Sequence, residues 1–238
     1  MIRSASFCAA RVTPTWRPKF SCRSCDHIRD MEHAMIEVFT ANTPNGIKVP
    51  IALEELGIPY ELRKIALGSA DLRSAEYLRI NPNAKIPAIR RHDGIDAPVT
   101  VFESGAILLY LAEAFGGLLG TAPAARGQTL SWLFLQVAGL GPMMGNAAHF
   151  RSLKSPDPYT LGRFEGEVAR HFNILETRLR EVEWLNGESY SIADIAHFSW
   201  VRSASYAGFE LKDFPILDAW VQKIEKRAAT ARALARLA

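Results

Sequence analysis

The chain has 238 residues, of which 48% are hydrophobic and 22% charged, a composition typical of a soluble globular protein with one large or two small domains. Residues 1–34 carry six basic and three acidic side chains, so they account for the whole formal net charge of +3, and the rest of the chain has 22 of each sign. The body therefore lacks the basic face of a nucleic-acid-binding domain, and no stretch reaches the ~18 apolar residues of a membrane-spanning helix.

Residues 1–34, which we call the leader, contain all three cysteines of the chain, Cys8, Cys22 and Cys25. The Cys-x-x-Cys spacing followed by His27 is compatible with half a zinc site or a redox pair, but the body offers no second ligand pair, and we expect no metal. The Pro/Arg/Ser-rich composition without apolar periodicity predicts disorder and is compatible with a transit peptide. A start codon at Met31 or Met35 is the alternative, because the first predicted strand begins at Met35.

The first elements of the body are a strand, a turn and a helix. Ile36–Thr40 predicts a buried strand, and Thr43-Pro44-Asn45-Gly46 is the turn after it. Asn-Gly is also a hairpin signal. Apolar residues at helical spacing up to Leu56 favour a helix instead, with Glu54 and Glu55 toward its outer side and Gly57 ending it. Pro50 is tolerated only in a first turn, so we expect this helix to begin late or to bend.

Further strands and helices then complete a thioredoxin-like order, βαβαββα, over residues 35–115. Tyr60–Ile65 predicts a strand and Ser74–Ile80 a short helix. Two more strands, Ile86–Ile89 and Val99–Phe102, are joined by a predicted hairpin at Arg91-His92-Asp93-Gly94, and a helix opens at Glu103-Ser104. Glycine and proline then mark residues 116–125 as a linker.

Two places in this domain could bind a ligand. Ile86 precedes Pro87 and must be extended, yet it keeps its own N–H and C=O, so an extended peptide-like molecule could pair with it as an added strand. The helix that begins at Glu103-Ser104 presents free N–H groups, which attract a carboxylate. For each place taken alone, the alternative is that it binds nothing, and that an ordinary loop precedes an ordinary capped core helix.

Residues 126–238 show no strand pattern and predict an all-helical domain. A first helix from Arg126 should kink or end at Gly139–Pro142, and Pro158–Val182 forms a long helix with an apolar stripe. Ser191 and Asp194 stand three apart at the start of a later helix, as N-cap and N3 of a capping box. His149 and His197 are expected in the core or on helix faces.

Two motifs of the N-terminal half carry a resemblance. Asn-Pro-x-x-Lys-Ile-Pro-Ala-Ile spans residues 81–89 and Glu-Ser-x-Ala-Ile-x-x-Tyr-Leu spans residues 103–111. Together they resemble the thioredoxin-like half of the glutathione transferase superfamily, in which the capping box is a fingerprint of the helical half. The resemblance implies that Pro87 is cis, that the Ile86 backbone pairs with the cysteinyl unit of glutathione, and that Glu103 and Ser104 hold its γ-glutamyl end.

The first turn narrows the resemblance. Thr43-Pro44-Asn45 has neither the Tyr or Ser of conventional transferases nor the Cys of omega-type proteins, and it is similar to the nu-class members that act as disulfide-bond reductases. This implies that Thr43 and Asn45 contact the glutathione sulfur, and that Lys85 and Arg163 are partners for glutathione carboxylates. Relatives often have Gln where this chain has Leu72, so one contact is expected to be missing. The plainer alternatives are that Thr43 and Asn45 serve only as turn residues, and that Lys85 is a solvated surface charge.

The resemblance therefore implies a cytoplasmic homodimer that uses glutathione as co-substrate, without a metal, to reduce small disulfides. Two other functions stay open from the sequence. A transferase that conjugates glutathione to an electrophile would use the same site, and a non-catalytic interaction module would share only the fold.

Overall fold

The computed structural model describes residues 35–92 and 97–238, and its N-terminal half is built on one mixed sheet. The four strands are β1 (Met35–Thr40), β2 (Tyr60–Lys64), β3 (Ala88–His92) and β4 (Val99–Phe102), in the spatial order β2-β1-β3-β4. β1 pairs parallel with β2 and antiparallel with β3, and β3 pairs antiparallel with β4. Ile36 and Val38 of β1, which lies between β2 and β3, are fully buried, as expected for the predicted buried strand.

Three α-helices, α1 (Lys48–Leu56), α2 (Ala75–Ile80) and α3 (Ser104–Phe115), and a 3-10 helix at Ala70–Arg73 complete this half. The order βαβαββα confirms the predicted thioredoxin-like fold. α1 begins late, so Pro50 falls in its first turn, where no helical hydrogen bond needs its missing N–H. The helix ends at Gly57, whose φ of 69° lies in the left-handed region that favours glycine.

The predicted turn after β3 was placed too early, because Arg91 and His92 belong to the strand and pair with β1. Glu37 of β1 explains the longer strand: its carboxylate accepts from Arg90 Nε at 2.6 Å and lies 3.0 Å from His92 Nε2. These contacts hold the pKa of Glu37 at about 2, below its usual value, chiefly through the hydrogen bond from Arg90. Asp93 and Gly94 of the predicted turn lie outside the described residues.

In the C-terminal half every regular element that the structure describes is a helix, and these include two short 3-10 helices at Ala204–Ala207 and Leu211–Asp213. Its α-helices are α4 (Pro123–Leu135), α5 (Gly141–Arg151), α6 (Pro158–Glu181), α7 (Ile192–Val201), α8 (Pro215–Glu225) and α9 (Ala228–Leu237), with a π-helical segment at Gln136–Leu140 between α4 and α5. α4 begins at Pro123, three residues before the predicted helix start at Arg126, because proline is favourable at the first position of a helix. The π-helical segment is the predicted kink.

One continuous hydrophobic cluster joins the two halves, since it includes Ile51 of α1, Leu108 of α3, Phe172 of α6 and Ile195 of α7. The shared cluster fixes the relative position of α1, α3 and α7, whose residues meet at the candidate site.

The predicted capping box at the start of α7 is present, with the Ser191 N–H donating to Asp194 Oδ2 at 3.0 Å.

The C-terminal helix α9 packs along α1 and covers the side that the sequence pattern assigned to solvent. Arg227 contacts Glu55 through two hydrogen bonds of 2.6 and 2.8 Å, and Arg232 donates to Glu54 at 2.7 Å. Glu54 and Glu55 are therefore paired rather than exposed, because the last helix supplies arginines at that surface.

Within residues 35–92 and 97–238, no helix is long and apolar enough to cross a membrane, and no group of three or more His, Cys, Asp or Glu side chains could hold a metal ion. The leader, with its cysteines and His27, lies outside the described residues.

Candidate functional site

Three cavities share Asn45 as a lining residue, at the junction of the two halves. The largest of these three, of about 440 Å³, is lined by residues that include Thr43 of the first turn, Leu72 of the segment after β2, Lys85 and Ile86 of the segment before β3, and Trp200 of α7. A second, of about 350 Å³, reaches Lys48, Glu103, Ser104 and Gln136. A third, of about 160 Å³, lies against Ile86, Pro87 and Glu103. These cavities outline an elongated candidate site.

Thr43, in the turn between β1 and α1, lines the largest of the three cavities. Thr43 Oγ1 accepts from the Gly46 N–H at 3.0 Å, and the Thr43 C=O accepts from the Ile47 N–H at 3.0 Å. A Cβ on Gly46 would lie 2.0 Å from the Ala41 carbonyl oxygen, so this turn requires glycine. Because the oxygen serves as an acceptor within the turn, the Thr43 O–H hydrogen is left to donate to a ligand.

The side chain of Asn45 is held from two directions. Its Oδ1 accepts from Lys48 Nζ at 2.9 Å and from the indole Nε1 of Trp200 at 2.9 Å. Two donors at Oδ1 fix the orientation of the carboxamide, and its NH₂ group must point the other way. Among the described residues this NH₂ group has no hydrogen-bond acceptor. Asn45 therefore offers a fixed donor to the cavities.

Lys48 is a buried cation, with only 1% of its surface exposed. Its ammonium donates to Asn45 Oδ1 at 2.9 Å, Ser104 Oγ at 3.2 Å and Gln136 Oε1 at 2.7 Å. Burial lowers the pKa of Lys48 to about 7, and the negative charge of Glu103 acts in the opposite direction. The residue places positive charge beside the second cavity.

The Ile86–Pro87 bond is cis, as the resemblance implies. The preceding carbonyl, that of Lys85, accepts from the Tyr77 hydroxyl at 2.7 Å and from Asn81 Nδ2 at 2.6 Å, which anchors the segment. The Ile86 N–H and C=O have no backbone partner among the described residues. An extended ligand could therefore pair with Ile86 as an added strand.

The second anchor is the beginning of α3. Glu103 has a φ of 69°, and Ser104 is the first helical residue. A non-glycine residue in the left-handed region costs on the order of 1 kcal/mol, and such strain is concentrated at functional sites. Both residues line the two smaller cavities, and the free N–H groups of the helix terminus lie there too. This end of the site is suited to a carboxylate.

The structure brings together seven of the eight residues predicted from the sequence, which are Thr43, Asn45, Lys85, Ile86, Pro87, Glu103 and Ser104. Arg163 does not join them. Its side chain on α6 is 65% exposed and lies 3.5 Å from Glu167, one helical turn away. Neither His149 nor His197 lines these cavities, and His197 is fully buried with Nε2 2.9 Å from the Trp132 carbonyl oxygen.

Sequence reasoning missed Lys48, Gln136 and Trp200. A signal for Lys48 did exist, because it precedes Ile51 and Ala52 by three and four residues and so shares their buried helix face. For Trp200 there was none, since it reaches Asn45 from 155 residues away. Leu72 lines the largest cavity and so lies at the site where the resemblance places a glutamine.

Two family models match the chain. The model of the glutathione S-transferase N-terminal domain matches residues 43–114, and that of the C-terminal domain matches residues 160–228. The disulfide-bond oxidoreductase YfcG of Escherichia coli (strain K12) is 44% identical over 203 residues, covering 84% of this chain and 94% of that protein. The disulfide-bond oxidoreductase YghU of the same organism is 37% identical over 215 residues, covering 83% and 73%.

Solved structures show the same likeness. A crystal structure of a glutathione transferase family member from Pseudomonas fluorescens pf-5, with two glutathione bound, is 40% identical in sequence. It superposes with a TM-score of 0.79 and covers 84% of this chain and 92% of that one.

Proposed function

Because this chain belongs to the glutathione S-transferase family, we propose that it is a glutathione-dependent enzyme that reduces small disulfides with the thiols of bound glutathione. The similarity to two proteins named as disulfide-bond oxidoreductases, at 44% and 37% identity, supports this activity. The two bound glutathione molecules in the relative from Pseudomonas fluorescens support glutathione as the thiol source.

The observation that carries the proposal is a site with fixed donors and no thiol of its own. All three cysteines lie in the leader, so residues 35–238 contain none. Thr43 and the NH₂ group of Asn45 instead offer two donors at one turn, which would stabilise the thiolate of a bound ligand.

The proposed reaction consists of two thiol–disulfide exchanges. The thiolate of one glutathione attacks a disulfide sulfur, forms a mixed disulfide and expels the other sulfur as a thiolate, which takes up a proton. A second glutathione thiolate attacks the mixed disulfide, releases the second product thiol and leaves oxidised glutathione. Two glutathione molecules supply the two electrons, so no further reductant is needed.

A lowered thiol pKa alone would not accelerate this reaction. A shift from ~8.5 to ~6.5 raises the thiolate population ~10-fold near pH ~7.5, but a Brønsted slope of ~0.5 lowers the nucleophilicity ~10-fold. The two effects nearly cancel. Rate enhancement must then come mainly from holding the sulfurs in line, which requires a ligand fixed at both ends.

The proposed binding mode fixes glutathione at three places. The γ-glutamyl end lies at Glu103 and Ser104, the cysteinyl unit pairs with the Ile86 backbone beside the cis Pro87, and the sulfur meets Thr43 and Asn45. The glycine carboxylate is assigned to Lys85, and this assignment is supported by the exposure of Lys85 and by its lining two of the cavities. Arg163 is left out of this first molecule, because it lines none of the three cavities.

We further propose that the enzyme is a cytoplasmic homodimer. The edge strand β4 exposes two apolar side chains, Val99 and Phe102, at 41% and 38%, and Phe134 of α4 is 60% exposed. A second copy would remove such surface from water. Sedimentation analysis should give twice the chain mass, and a monomer at micromolar concentration would contradict this part. The cytoplasm is where the glutathione pool is kept reduced.

Conjugation of glutathione to an electrophile is the second candidate, because Pro44, Leu67 and Leu72 give the largest cavity apolar walls. Calorimetry with glutathione should show binding, and steady-state assays should compare a small disulfide with an aryl halide. Turnover of the disulfide as the preferred substrate supports the proposal. Preference for the aryl halide would favour the transferase, and no glutathione binding would favour an interaction module.

A further inference from the structure

We infer that Lys48 is a positioning residue for this reaction, and that its buried ammonium holds both Asn45 and Ser104 as hydrogen-bond donors toward an anionic ligand. The inference rests on the proposed function, since it concerns how the same site receives glutathione. A single side chain would then make both ends of the site present hydrogen-bond donors.

The three hydrogens of the ammonium are all used. They point to Asn45 Oδ1, Ser104 Oγ and Gln136 Oε1, which belong to the first turn, α3 and the π-helical segment. An ammonium has three donors and no acceptor, so Lys48 is left with no hydrogen for a ligand. It must therefore act through the groups that it holds.

At Asn45 the effect is on the direction of the carboxamide. With Oδ1 turned toward Lys48 and Trp200, the NH₂ group is the part of Asn45 that a ligand meets. The opposite orientation would bring an NH₂ group against an ammonium and an indole N–H, which are donors only. Lys48 thus makes Asn45 a donor for a sulfur anion rather than an acceptor that repels it.

At Ser104 the effect is on the hydroxyl hydrogen. Ser104 Oγ accepts from Lys48 at 3.2 Å, so one of its lone pairs is occupied and its hydrogen is directed elsewhere. Ser104 lines the second and third cavities beside the N-terminus of α3. The hydroxyl therefore adds a donor to the free N–H groups that would receive a carboxylate.

The charge of Lys48 lacks a direct counterion in the described part of the chain. Its hydrogen-bond partners are neutral, and Glu103, whose charge acts on it, is not in hydrogen-bond contact. On the side of α7, burial first and the charge of Lys48 among other causes lower the pKa of His197 to about 3, so this imidazole is neutral near pH ~7 and is no counterion for Lys48. A buried cation without a counterion favours a ligand that brings negative charge.

The test compares Lys48→Met, which keeps the length and apolar stem, with Lys223→Met as the matched control. Lys223 lies on α8, is 46% exposed and pairs with Glu183 away from the site. We expect Lys48→Met to lower kcat/KM for glutathione-dependent disulfide reduction roughly 10- to 100-fold, the loss that follows from a charged hydrogen bond. The control should keep wild-type kcat/KM.

Two readouts separate positioning from a structural role. The thiolate absorbance of bound glutathione against pH should show the pKa of its thiol about one unit higher in Lys48→Met than in wild type. A double-mutant cycle with Asn45→Ala should be non-additive, since the second change removes the group through which Lys48 acts. Additive losses, or an unchanged thiol pKa, would overturn the inference.

Should Lys48→Met fail to fold, Lys48→Gln removes the charge but keeps a polar side chain with an N–H donor on the same helix face, and it should show a smaller loss in the same direction. Calorimetric measurement of glutathione affinity tests the inference independently of catalytic activity. Wild-type protein that reduces no disulfide would contradict the proposed function. Lys48 variants that bind glutathione with wild-type affinity and wild-type thiol pKa would contradict the inference.

Discussion

Asn45 is the residue at which the cavities, the buried cation and the helical half meet. The sequence pattern placed it in a turn and the resemblance made it a sulfur contact, but neither indicated how its side chain is held. The two donors at its Oδ1, Lys48 Nζ and Trp200 Nε1, come from one helical turn away and from another domain. Local patterns report periodicity and turn chemistry, and a contact between distant segments leaves no trace in them.

Asn45→Asp is therefore a sharper change than truncation to alanine. The carboxylate would still accept from Lys48 and Trp200, but it would replace the outward NH₂ donor by a negatively charged oxygen. We expect thermal stability to be kept or raised, because the buried ammonium gains a counterion, while disulfide reduction falls by at least 10-fold.

Differential scanning calorimetry and steady-state kinetics on the same preparation check this expectation. Asn173→Asp on the exposed face of α6 is the matched control and should change neither measurement. An Asn45→Asp enzyme with wild-type activity would show that the amide donor is not used.

Asp194 is a fully buried acid of the helical half, and its role is structural. Its carboxylate accepts from the Leu185 N–H at 3.0 Å, the Ser191 N–H at 3.0 Å and the Ser191 hydroxyl at 2.8 Å. Asp194→Ala would leave these buried donors without an acceptor, so we expect it to lower the free energy of unfolding by about 2 kcal/mol near neutral pH. Glutathione affinity of the folded protein should stay at the wild-type value.

The pH dependence has a definite sign. Burial raises the pKa of Asp194 from 3.8 to about 6 in the folded protein. The folded state then binds more protons than the unfolded state between these values, and wild-type stability falls as pH rises through this window. Asp194→Ala lacks this contribution, so its deficit should be larger near the lower end of the window than at neutral pH. Urea titrations of both proteins measure it, and a deficit that grows with rising pH would contradict the assignment.

The π-helical segment between α4 and α5 is the element that delivers Gln136 to Lys48. The sequence predicted an interruption here from the glycines and proline, and the physical reason is close packing. A Cβ on Gly139 would lie 2.4 Å from His171 Nε2 of α6, and one on Gly141 would lie 2.8 Å from Gln136 Nε2. Breaks of this kind are frequent at functional sites.

Gly139→Ala should consequently disturb the packing of the π-helical segment against α6 and the position of Gln136 in the site. We expect it to lower the free energy of unfolding by about 1–3 kcal/mol, since the imidazole must move, and to weaken glutathione binding through Gln136. Gly162→Ala on α6, where no atom lies within 4 Å of the new Cβ, is the control and should stabilise by about 0.5–1 kcal/mol. Urea unfolding of the pair measures the difference, and equal stabilities would contradict the packing argument.

Elsewhere the elements follow from local signals, and the deviations have tertiary causes. Gly57, the Ser191 capping box and the late start of α1 were predictable because each depends on neighbours within one or two turns. β3 extends beyond its predicted end because Glu37 on another strand attracts Arg90 and His92. Glu54 and Glu55 are covered because α9 returns to α1 with its arginines.

At the scale of the whole molecule, the shared core of the two halves is what builds the site. Thr43, Ile86 and Ser104 come from the sheet domain, whereas Gln136 and Trp200 come from the helical domain, and Asn45 and Lys48 contact both. The site residues of the sheet domain were predictable because the resemblance rests on contiguous sequence motifs. The helical side was not, because it contributes single residues from two separate elements.

The central claim is that residues 35–238, which contain no cysteine, reduce disulfides with the thiols of bound glutathione. The most direct measurement is glutathione-dependent reduction of a small disulfide by a variant in which Cys8, Cys22 and Cys25 are all replaced by serine. The variant is expected to keep the kcat/KM of the wild type, because the reacting sulfurs belong to glutathione. Loss of the activity in this variant, or a wild-type enzyme that only conjugates glutathione to an electrophile, would contradict the claim.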